Sequence, residues 1–201
     1  MSRSRADAGH LAMKPTKMFG AIMEVFNAPA YALALSLVEQ APHAAVLEIG
    51  FGSGRFLELL LKRHKTMRAC GVDPTPAMLE LARRKPGLKR AGDRADLRLG
   101  EASRLAWPDA YFDAVLAIHS FQFWSPPETC VAEVRRVLKP GARLILVLRD
   151  HATRAPDWLP NPISRSGREA EDTIALLAQT GFRDIDPAGS AGSSRALVAA
   201  A

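Results

Sequence analysis

The sequence predicts an α/β fold in which helices cover both faces of a mostly parallel β-sheet. Short apolar segments alternate with amphipathic ones between residues 45 and 148, as expected for strands joined by crossover helices. A glycine-rich turn joins the first of these strands to a helix, which is typical of ligand-binding α/β sheets. The last two apolar segments are separated by a short Gly/Ser-rich connection without room for a helix, so these strands must pair antiparallel. The expected fold is a doubly wound sheet whose last strand is antiparallel.

Seven strands are predicted from runs of apolar and β-branched residues that are bounded by turn residues. They span residues 45–50, 68–72, 96–99, 112–118, 142–148, 182–185 and 196–198. Between the fifth and sixth strands, a segment rich in Pro, Ser and Arg is expected to form a long loop over residues 150–167.

The N-terminal region is expected to be helical after a polar start. Residues 1–12 are polar, and we expect them to be disordered. Pro15 and Pro29 are each placed to begin a helix, because proline is favoured at the first helical position. The apolar run 31–38 is too short to cross a bilayer, which requires about 20 apolar residues. We therefore expect no membrane-spanning segment and assign the run to a buried helix.

The later helices are predicted from capping signals followed by apolar residues at helical spacing. Ser53 is expected to cap the helix after the first strand. Thr75 is expected to cap the next helix, which ends in the Lys-Pro-Gly turn at 85–87. Ser125 is followed by two prolines and a glutamate, which predicts a third helix start with the serine as cap. A last helix is expected to end at Thr180.

The turn after the first strand, residues 46–54 with the sequence VLEIGFGSG, is the most informative segment of the chain. Its glycines let the backbone approach a ligand closely, because no Cβ stands in the way. A dinucleotide site needs a third glycine at position 55, where this chain has Arg55, and Glu48 would repel a pyrophosphate. The same carboxylate would attract an ammonium group. The segment therefore favours a nucleoside with a positively charged tail and counts against a dehydrogenase.

These residues resemble the first motif of the class I S-adenosylmethionine-dependent methyltransferases. The similarity continues, in the family's order, over about residues 44–150 through GVD at 71–73, GEA at 100–102, FDAV at 112–115 and VLKPG at 137–141. The resemblance implies a seven-stranded Rossmann-like methyltransferase fold. It also implies S-adenosyl-L-methionine as the cofactor and S-adenosyl-L-homocysteine as the product.

At the glycine turn, the resemblance implies three kinds of contact with the cofactor. Glu48 is expected to receive the ammonium group of the methionine moiety, directly or through water. Gly50, Phe51 and Gly52 are expected to lie beneath the ligand. The alternative is that the glycines only form a tight turn and that Glu48 pairs with a lysine.

Further cofactor contacts are expected after the second and third strands. Asp73 ends the second strand, about 20 residues beyond the glycine turn, where a carboxylate accepts both ribose hydroxyls. Its alternative role is to cap the helix that follows Pro74. Met78 is expected either to pack against the adenine or to belong to the core. The resemblance implies that Glu101 accepts a hydrogen bond from the adenine amino group, with the Ala102 amide beside it.

The methyl acceptor is expected at the end of the fourth strand, where the sequence is HSFQFW. The nucleic-acid amino-methylating branch of the family has an Asn/Asp-Pro-Pro-aromatic tetrapeptide there, and this chain does not. The aromatic cluster suits a small, partly apolar acceptor. His119 is a candidate general base, with pocket lining or cofactor contact as the alternatives. Trp124, His151, Trp158 and Tyr31 are candidate substrate contacts, and Tyr31 has core packing as its alternative.

Length and composition limit the remaining possibilities. The 201 residues predict one domain over 13–201, with 13–41 as a helical lid. The two cysteines fit no metal or disulfide spacing and point to a reducing cytoplasm. The formal charge of +6 comes from short basic groups that are separated in sequence and lack interleaved aromatic residues, so a nucleic-acid partner is not expected.

We therefore expect a cytoplasmic enzyme that uses S-adenosylmethionine to methylate a small molecule at an oxygen, nitrogen or carbon atom. The alternatives are a nucleic-acid-directed methyltransferase and a catalytically silent protein that binds S-adenosylmethionine. The sequence does not predict the oligomeric state.

Overall fold

The computed structural model describes residues 24–41, 43–149 and 167–201, without the side chains of 167–170. Seven strands form one sheet in the order β3-β2-β1-β4-β5-β7-β6. The strands are β1 (Ala45–Ile49), β2 (Arg68–Asp73), β3 (Ala95–Leu99), β4 (Phe112–Ile118), β5 (Leu138–Arg149), β6 (Arg183–Ala191) and β7 (Ser194–Ala200). The pairings among β1 to β5 are parallel, whereas β7 pairs antiparallel with both β5 and β6. The predicted sheet is confirmed.

Helices cover both faces of this sheet. They are α1 (Ala28–Val38), α2 (Arg55–Arg63), α3 (Pro76–Arg83), α4 (Pro86–Ala91), α5 (Pro127–Val137) and α6 (Gly167–Gln179). Helices α1 to α4 contribute to one buried apolar cluster, and α5 and α6 contribute to the cluster on the opposite face. Cys70 and Cys130 are both buried and free.

The connections place a crevice at the middle of the sheet. From β1 the chain moves outward through β2 to the edge strand β3, and then crosses back to β4 on the other side of β1. Connections therefore leave β1 and β4 in opposite directions, and in open α/β sheets the carboxyl ends of the strands bind ligands at such a switch point.

Two of the predicted helix caps are wrong. The residue before α2 is Gly54, in a left-handed conformation, and the Ser53 hydroxyl instead donates to Glu24 Oε1 at 2.7 Å. Helix α5 begins at Pro127 rather than directly after Ser125, and it has no side-chain cap. A serine cap at 125 would accept from the N–H of position 127 or 128, and the first of these is a proline without an N–H. Thr75 does occupy the N-cap position of α3, but its side chain makes no capping hydrogen bond.

Several boundaries also differ from the predictions. Pro86 begins the short helix α4, because a proline after a helix also suits the first turn of the next one. Strands β6 and β7 extend through most of the Gly/Ser-rich connection, leaving only residues 192–193 between them. Sheet pairing satisfies the backbone of these small residues, which local preference alone assigns to a loop.

The N-terminal predictions are only partly covered. Helix α1 has its proline in the first turn, which confirms the helix predicted to begin near Pro29. The helix predicted to begin at Pro15 and the polar segment 1–12 lie outside the described residues. Within the described parts of the chain, no helix is both long and apolar enough to span a membrane.

Candidate active site

A cavity of about 600 Å³ opens at the carboxyl ends of β1, β2, β3 and β4. This volume lies within the range of about 300–1,000 Å³ that is common for small-molecule sites. The sequence-predicted residues that line it are Gly50, Asp73, Pro74, Glu101, Ala102, His119 and Trp124. Ser120 and Phe123, from the HSFQFW segment predicted to meet the acceptor, also line it, and sequence reasoning missed Thr75, Ser103, Ser125 and Cys130. Most of these adjoin a predicted residue in sequence, and that adjacency was the available signal.

The glycine turn at the end of β1 is held tightly against β4. Gly50 has φ +77° and donates its N–H to the Val72 carbonyl at 2.7 Å. A Cβ on Gly50 would lie 2.4 Å from Ser120 Cβ, so no larger residue fits. The Ser120 hydroxyl donates to the Ile49 carbonyl, which fixes the two strand ends together. By contrast, a Cβ on Gly52 would meet nothing within 4 Å, which leaves space beside this backbone for a ligand.

Asp73 joins the glycine turn to the end of β2. Its Oδ2 accepts a hydrogen bond from the Gly52 N–H and its Oδ1 accepts one from the Thr75 N–H, both at 2.9 Å. The side chain is buried at 5% exposure and still lines the cavity. Burial raises the pKa of this carboxyl, although the backbone donors oppose the rise. Each oxygen has a second lone pair for a ligand hydroxyl, so the capping-type contact and ribose binding are compatible.

Glu48 lies on β1, directly below the glycine turn, and is almost fully buried at 2% exposure. Its Oε2 has no hydrogen-bond partner, and no lysine or arginine pairs with it among the described residues. Among the described residues, nothing supports the alternative in which Glu48 pairs with a lysine. Burial, together with the nearby Asp73 carboxylate, raises the pKa of Glu48 well above its usual range. Glu48 itself is not among the residues that line the cavity.

An unpartnered buried carboxylate beside a glycine turn fits the cationic amino-acid end of S-adenosylmethionine. The opposite charge lowers the cost of ionising Glu48, and the open side of Gly52 gives the ligand room. Among the described residues, no group of three or more His, Cys, Asp or Glu side chains could hold a metal ion.

His119 lines the cavity, and both of its ring nitrogens have hydrogen-bond partners. It has φ +53°, its Nδ1 lies 3.2 Å from Asn27 Oδ1, and its Nε2 lies 2.9 Å from Ser194 Oγ. Burial and the neighbouring Arg149 guanidinium lower the pKa of His119 to about 4. A neutral imidazole whose pKa is this low is a weak proton acceptor at neutral pH, and both ring nitrogens already have partners. These facts count against the general-base hypothesis and favour the pocket-lining alternative.

The end of β4 forms an aromatic wall. A short 3₁₀ turn, Phe121–Phe123, follows His119. Phe121 is buried and packs edge-to-face on Trp124, with ring centroids 5.0 Å apart. Trp124 lines the cavity, as predicted, and Phe123 lines it while remaining 60% exposed. An exposed phenylalanine at a cavity mouth provides apolar surface for a ligand.

Other predicted residues lie away from the cavity lining. Phe51 is 4% exposed and its ring packs over Gly71, so only its backbone follows the turn. Met78 is half-buried on α3 and does not line the cavity. Tyr31 packs against Phe56, with centroids 6.4 Å apart, which favours the core-packing alternative. His151 and Trp158 lie outside the described residues.

Comparison with known proteins agrees with this geometry. A family model described as a methyltransferase domain matches residues 47–146. The chain is 31% identical over 142 residues to the uncharacterized methyltransferase YdaC of Bacillus subtilis, covering 71% of this chain and 73% of YdaC. It is 40% identical over 102 residues to a demethylmenaquinone methyltransferase of Deinococcus radiodurans, covering 51% of this chain and 42% of that relative.

A solved structure of a SAM-dependent methyltransferase from Aquifex aeolicus has the same fold, with a TM-score of 0.70 at 19% identity. The match covers 90% of this chain and 97% of that one. The sequence motifs, the sheet with its antiparallel end and these similarities agree with one another. The chain therefore belongs to the class I S-adenosylmethionine-dependent methyltransferases, with S-adenosylmethionine as the cofactor and S-adenosylhomocysteine as the product.

Proposed function

We propose that this enzyme methylates a small, partly apolar molecule at an oxygen, nitrogen or carbon atom. The observation that carries the proposal is one cavity whose lining runs from Gly50 and Asp73 to the aromatic wall of Phe123 and Trp124. A donor at the first end and an acceptor at the second would share a single enclosed space. The relative from Deinococcus radiodurans is named for a small-molecule acceptor, demethylmenaquinone, which supports the same class of substrate.

In this proposal the carboxyl ends of the first three strands hold the cofactor. Glu48 receives the ammonium group, and the turn at Gly50–Gly52 lies beneath the amino-acid moiety. Asp73 accepts the ribose hydroxyls, and Glu101 with the Ala102 amide receives the adenine. The support for these roles is that Asp73, Glu101 and Ala102 line the cavity and that Glu48 has an unpartnered oxygen.

Methyl transfer depends more on the alignment of the acceptor with the methyl donor than on acid-base catalysis. The sulfonium of the bound cofactor supplies an activated methyl group, so aligning the acceptor with it accounts for much of the rate. The chain contributes a rigid turn, an apolar wall and exclusion of water. Asn27, which contacts His119, lies within the segment 13–41 that we assign as a lid over the acceptor. We do not assign the acceptor's proton to His119, because burial and the Arg149 guanidinium lower the pKa of this imidazole.

Ligand protection tests the cofactor site. S-adenosylhomocysteine at micromolar concentrations should raise the Tm of the protein, whereas NAD should not. Asp73→Asn should reduce the shift, because the neutral amide removes the charge from the ribose contact. A matched change of an exposed acid, Asp93→Asn, should leave it unchanged. Equal protection by NAD, or no protection by S-adenosylhomocysteine, would contradict the proposal.

Turnover separates the enzyme from the catalytically silent alternative. A panel of small aromatic and apolar acceptors, incubated with methyl-labelled cofactor, should yield at least one labelled product. The label should disappear in Asp73→Asn and persist in Asp93→Asn. Cofactor binding without methylation of any acceptor in a broad panel would favour a binding protein.

The nucleic-acid alternative gains one observation from the structure. The basic groups that are separated in sequence converge on the outer surface of α2 and α4, where one groove is lined by Arg55, Lys62, Lys65, Arg90 and Arg94, with Glu58 as its single acid. Clustered basic residues are the electrostatic signature of polyanion binding. Several of them also lie in the last turns of helices, where cations stabilise the helix dipole.

The salt dependence of nucleic-acid binding distinguishes a nucleic-acid-binding surface from basic residues that only stabilise helix dipoles. We expect no binding of a 20-base-pair RNA or DNA duplex beyond the weak, salt-sensitive association of any basic protein. A duplex that binds at moderate salt, and loses affinity when Lys62, Lys65 and Arg90 are changed to Gln, would favour nucleic acid as the substrate or anchor.

A further inference from the structure

A polar cluster lies at the carboxyl ends of β4 and β5, beside the acceptor end of the cavity. Arg149, the last residue of β5, points a guanidinium nitrogen to within 3.2 Å of Asn27 Oδ1 and 3.4 Å of His119 Nδ1. The His119 Nε2 lies 2.9 Å from Ser194 Oγ on β7, and Ser194 is 4% exposed. His119 lines the cavity and Arg149 does not, so the cluster adjoins the proposed acceptor site through His119.

Arg149 has no acidic partner among the described residues. Its hydrogen-bond partners there, an amide oxygen and an imidazole, are both neutral, and no ion pair includes it. The side chain is half-buried, and burial lowers the pKa of its guanidinium. Two other half-buried arginines, Arg94 and Arg143, likewise donate to backbone and amide oxygens, whereas Arg136 pairs with both Glu133 and Asp109. A guanidinium withdrawn from water without a counter-charge is costly, and its planar donors match a carboxylate.

The charges around the cavity are separated by sign. Glu48, Asp73 and Glu101 lie on or just after β1, β2 and β3, the side proposed for the cationic cofactor. Arg149 lies at the end of β5, on the far side of β4 from these carboxylates. The sheet therefore presents negative groups to a positive ligand at one end and a positive group at the other.

We infer that the methyl acceptor carries a carboxylate, which binds the Arg149 guanidinium beside His119, while its apolar part contacts Phe123 and Trp124. This inference rests on the proposed function and specifies its substrate class. Asn27 and Ser194 hold His119, and His119 in turn limits the directions in which Arg149 can point. Arg149 is thus a specificity residue, and the neutral imidazole beside it leaves the full positive charge available to the ligand.

The test uses two probes of the same shape, 3-phenylpropionate and 3-phenylpropanamide. Each is titrated calorimetrically into the full chain saturated with S-adenosylhomocysteine. We expect the acid to bind about tenfold more tightly than the amide, as expected for a hydrogen-bonded charge pair. Arg149→Gln should remove this preference and Arg149→Lys should retain part of it. Arg183→Gln, a change at an exposed arginine where β6 begins, should retain all of it.

Two results would overturn the inference. One is equal binding of the acid and the amide to the wild-type protein, or no binding of either. The other is a preference for the acid that survives in Arg149→Gln. The wild-type comparison decides even if a variant fails to fold. Thermal protection by S-adenosylhomocysteine is recorded in parallel. A wild-type protein that is not protected would contradict the proposed function. A wild-type protein that is protected but does not prefer the acid would contradict only this inference.

Discussion

At the scale of single residues, Glu48 links the stability of the protein to its ligand. A carboxyl group with 2% exposure and an unpartnered oxygen disfavours its own ionised form. Glu48 precedes the glycine turn in the sequence, so a position close to the ammonium group of a ligand could be predicted for it. Its lack of a partner could not be predicted, because that depends on which side chains the other strands bring near it.

Replacing Glu48 with Gln should have opposite effects on stability and on binding. The pKa of Glu48 is raised in the folded state above its usual value of about 4.5, so the folded protein retains this proton more strongly than the unfolded chain. The stabilisation that this carboxyl group contributes is complete at a pH below its usual pKa of about 4.5. It is lost as the pH rises through the pKa of the folded state. Glu48→Gln should therefore raise the Tm of the ligand-free protein at pH 8, by roughly 2–4 °C for each kcal/mol gained.

The gain should vanish near pH 4, where the glutamate is protonated in both states. At pH 8 the same variant should bind S-adenosylhomocysteine about tenfold more weakly, because the ammonium loses a charged partner. Thermal scans across pH and calorimetric titration measure the two effects. Glu128→Gln, at an exposed glutamate, is the control and should change neither. A Glu48→Gln variant that is less stable at pH 8 would refute the account of this residue.

Gly50 makes a second residue-scale prediction. Gly50→Ala should destabilise the protein more than Gly141→Ala, although both positions have nearly the same positive φ, +77° and +76°. A positive φ costs an alanine roughly 1–2 kcal/mol in either variant. Only at position 50 does the new methyl group overlap Ser120, since nothing lies within 4 Å at position 141. We expect an extra loss of about 1–3 kcal/mol in the free energy of unfolding by urea.

The double variant Gly50→Ala/Ser120→Gly tests the cause of that loss. Removing the Ser120 side chain should restore part of the stability lost in Gly50→Ala. If the double variant is as unstable as the sum of its two single variants, the overlap is not the reason that glycine is needed at position 50.

At the scale of elements, the hydrophobic pattern predicted which strands and helices exist better than it predicted where they begin and end. The strands β1, β2 and β4 are mostly apolar and mostly buried on both faces, so their positions could be predicted from the sequence. A predicted helix cap was wrong where the serine hydroxyl hydrogen-bonds elsewhere, as the Ser53 hydroxyl does to Glu24. The length of β6 and β7 depends on cross-strand pairing, which no local pattern contains.

The segment 105–109, which leads from the cavity lining to β4, depends on one side chain of α5. Arg136 donates to the Leu105 carbonyl at 2.9 Å and the Trp107 carbonyl at 3.0 Å, and it pairs with Glu133 and Asp109. Arg136→Met should lower the free energy of unfolding by about 1–3 kcal/mol, because these carbonyls lose their donor.

The neighbouring variant Arg135→Met supplies the control for chemical denaturation of Arg136→Met. Arg135 is exposed on the same helix, so its replacement should have a much smaller effect. Equal losses in the two variants would mean that the segment 105–109 is held by its apolar contacts, such as the packing of Trp107 on Phe112, rather than by Arg136.

At the scale of the whole molecule, the site is assembled from distant parts of the chain. Asn27, His119, Arg149 and Ser194 come from four separate elements, and only the strand order brings them together. Motifs predicted Asp73, Glu101 and Ala102, because each follows a strand in the order typical of the family. Arg149 carries no such motif, so the acceptor end was predicted only as an aromatic cluster. The clustering of basic groups on α2 and α4 could not be predicted from the sequence either, because it depends on how separate helices pack together.

The central claim is that the crevice at the ends of β1 to β4 selects a sulfur nucleoside whose amino-acid tail directs its ammonium group toward Glu48. The most direct test is a crystal structure of the protein grown with S-adenosylhomocysteine. The account predicts electron density in the cavity, with ribose hydroxyls on Asp73, adenine at Glu101 and Ala102, and the ammonium directed to Glu48. Density for the ligand elsewhere, or an ammonium that points away from Glu48 toward solvent, would contradict it.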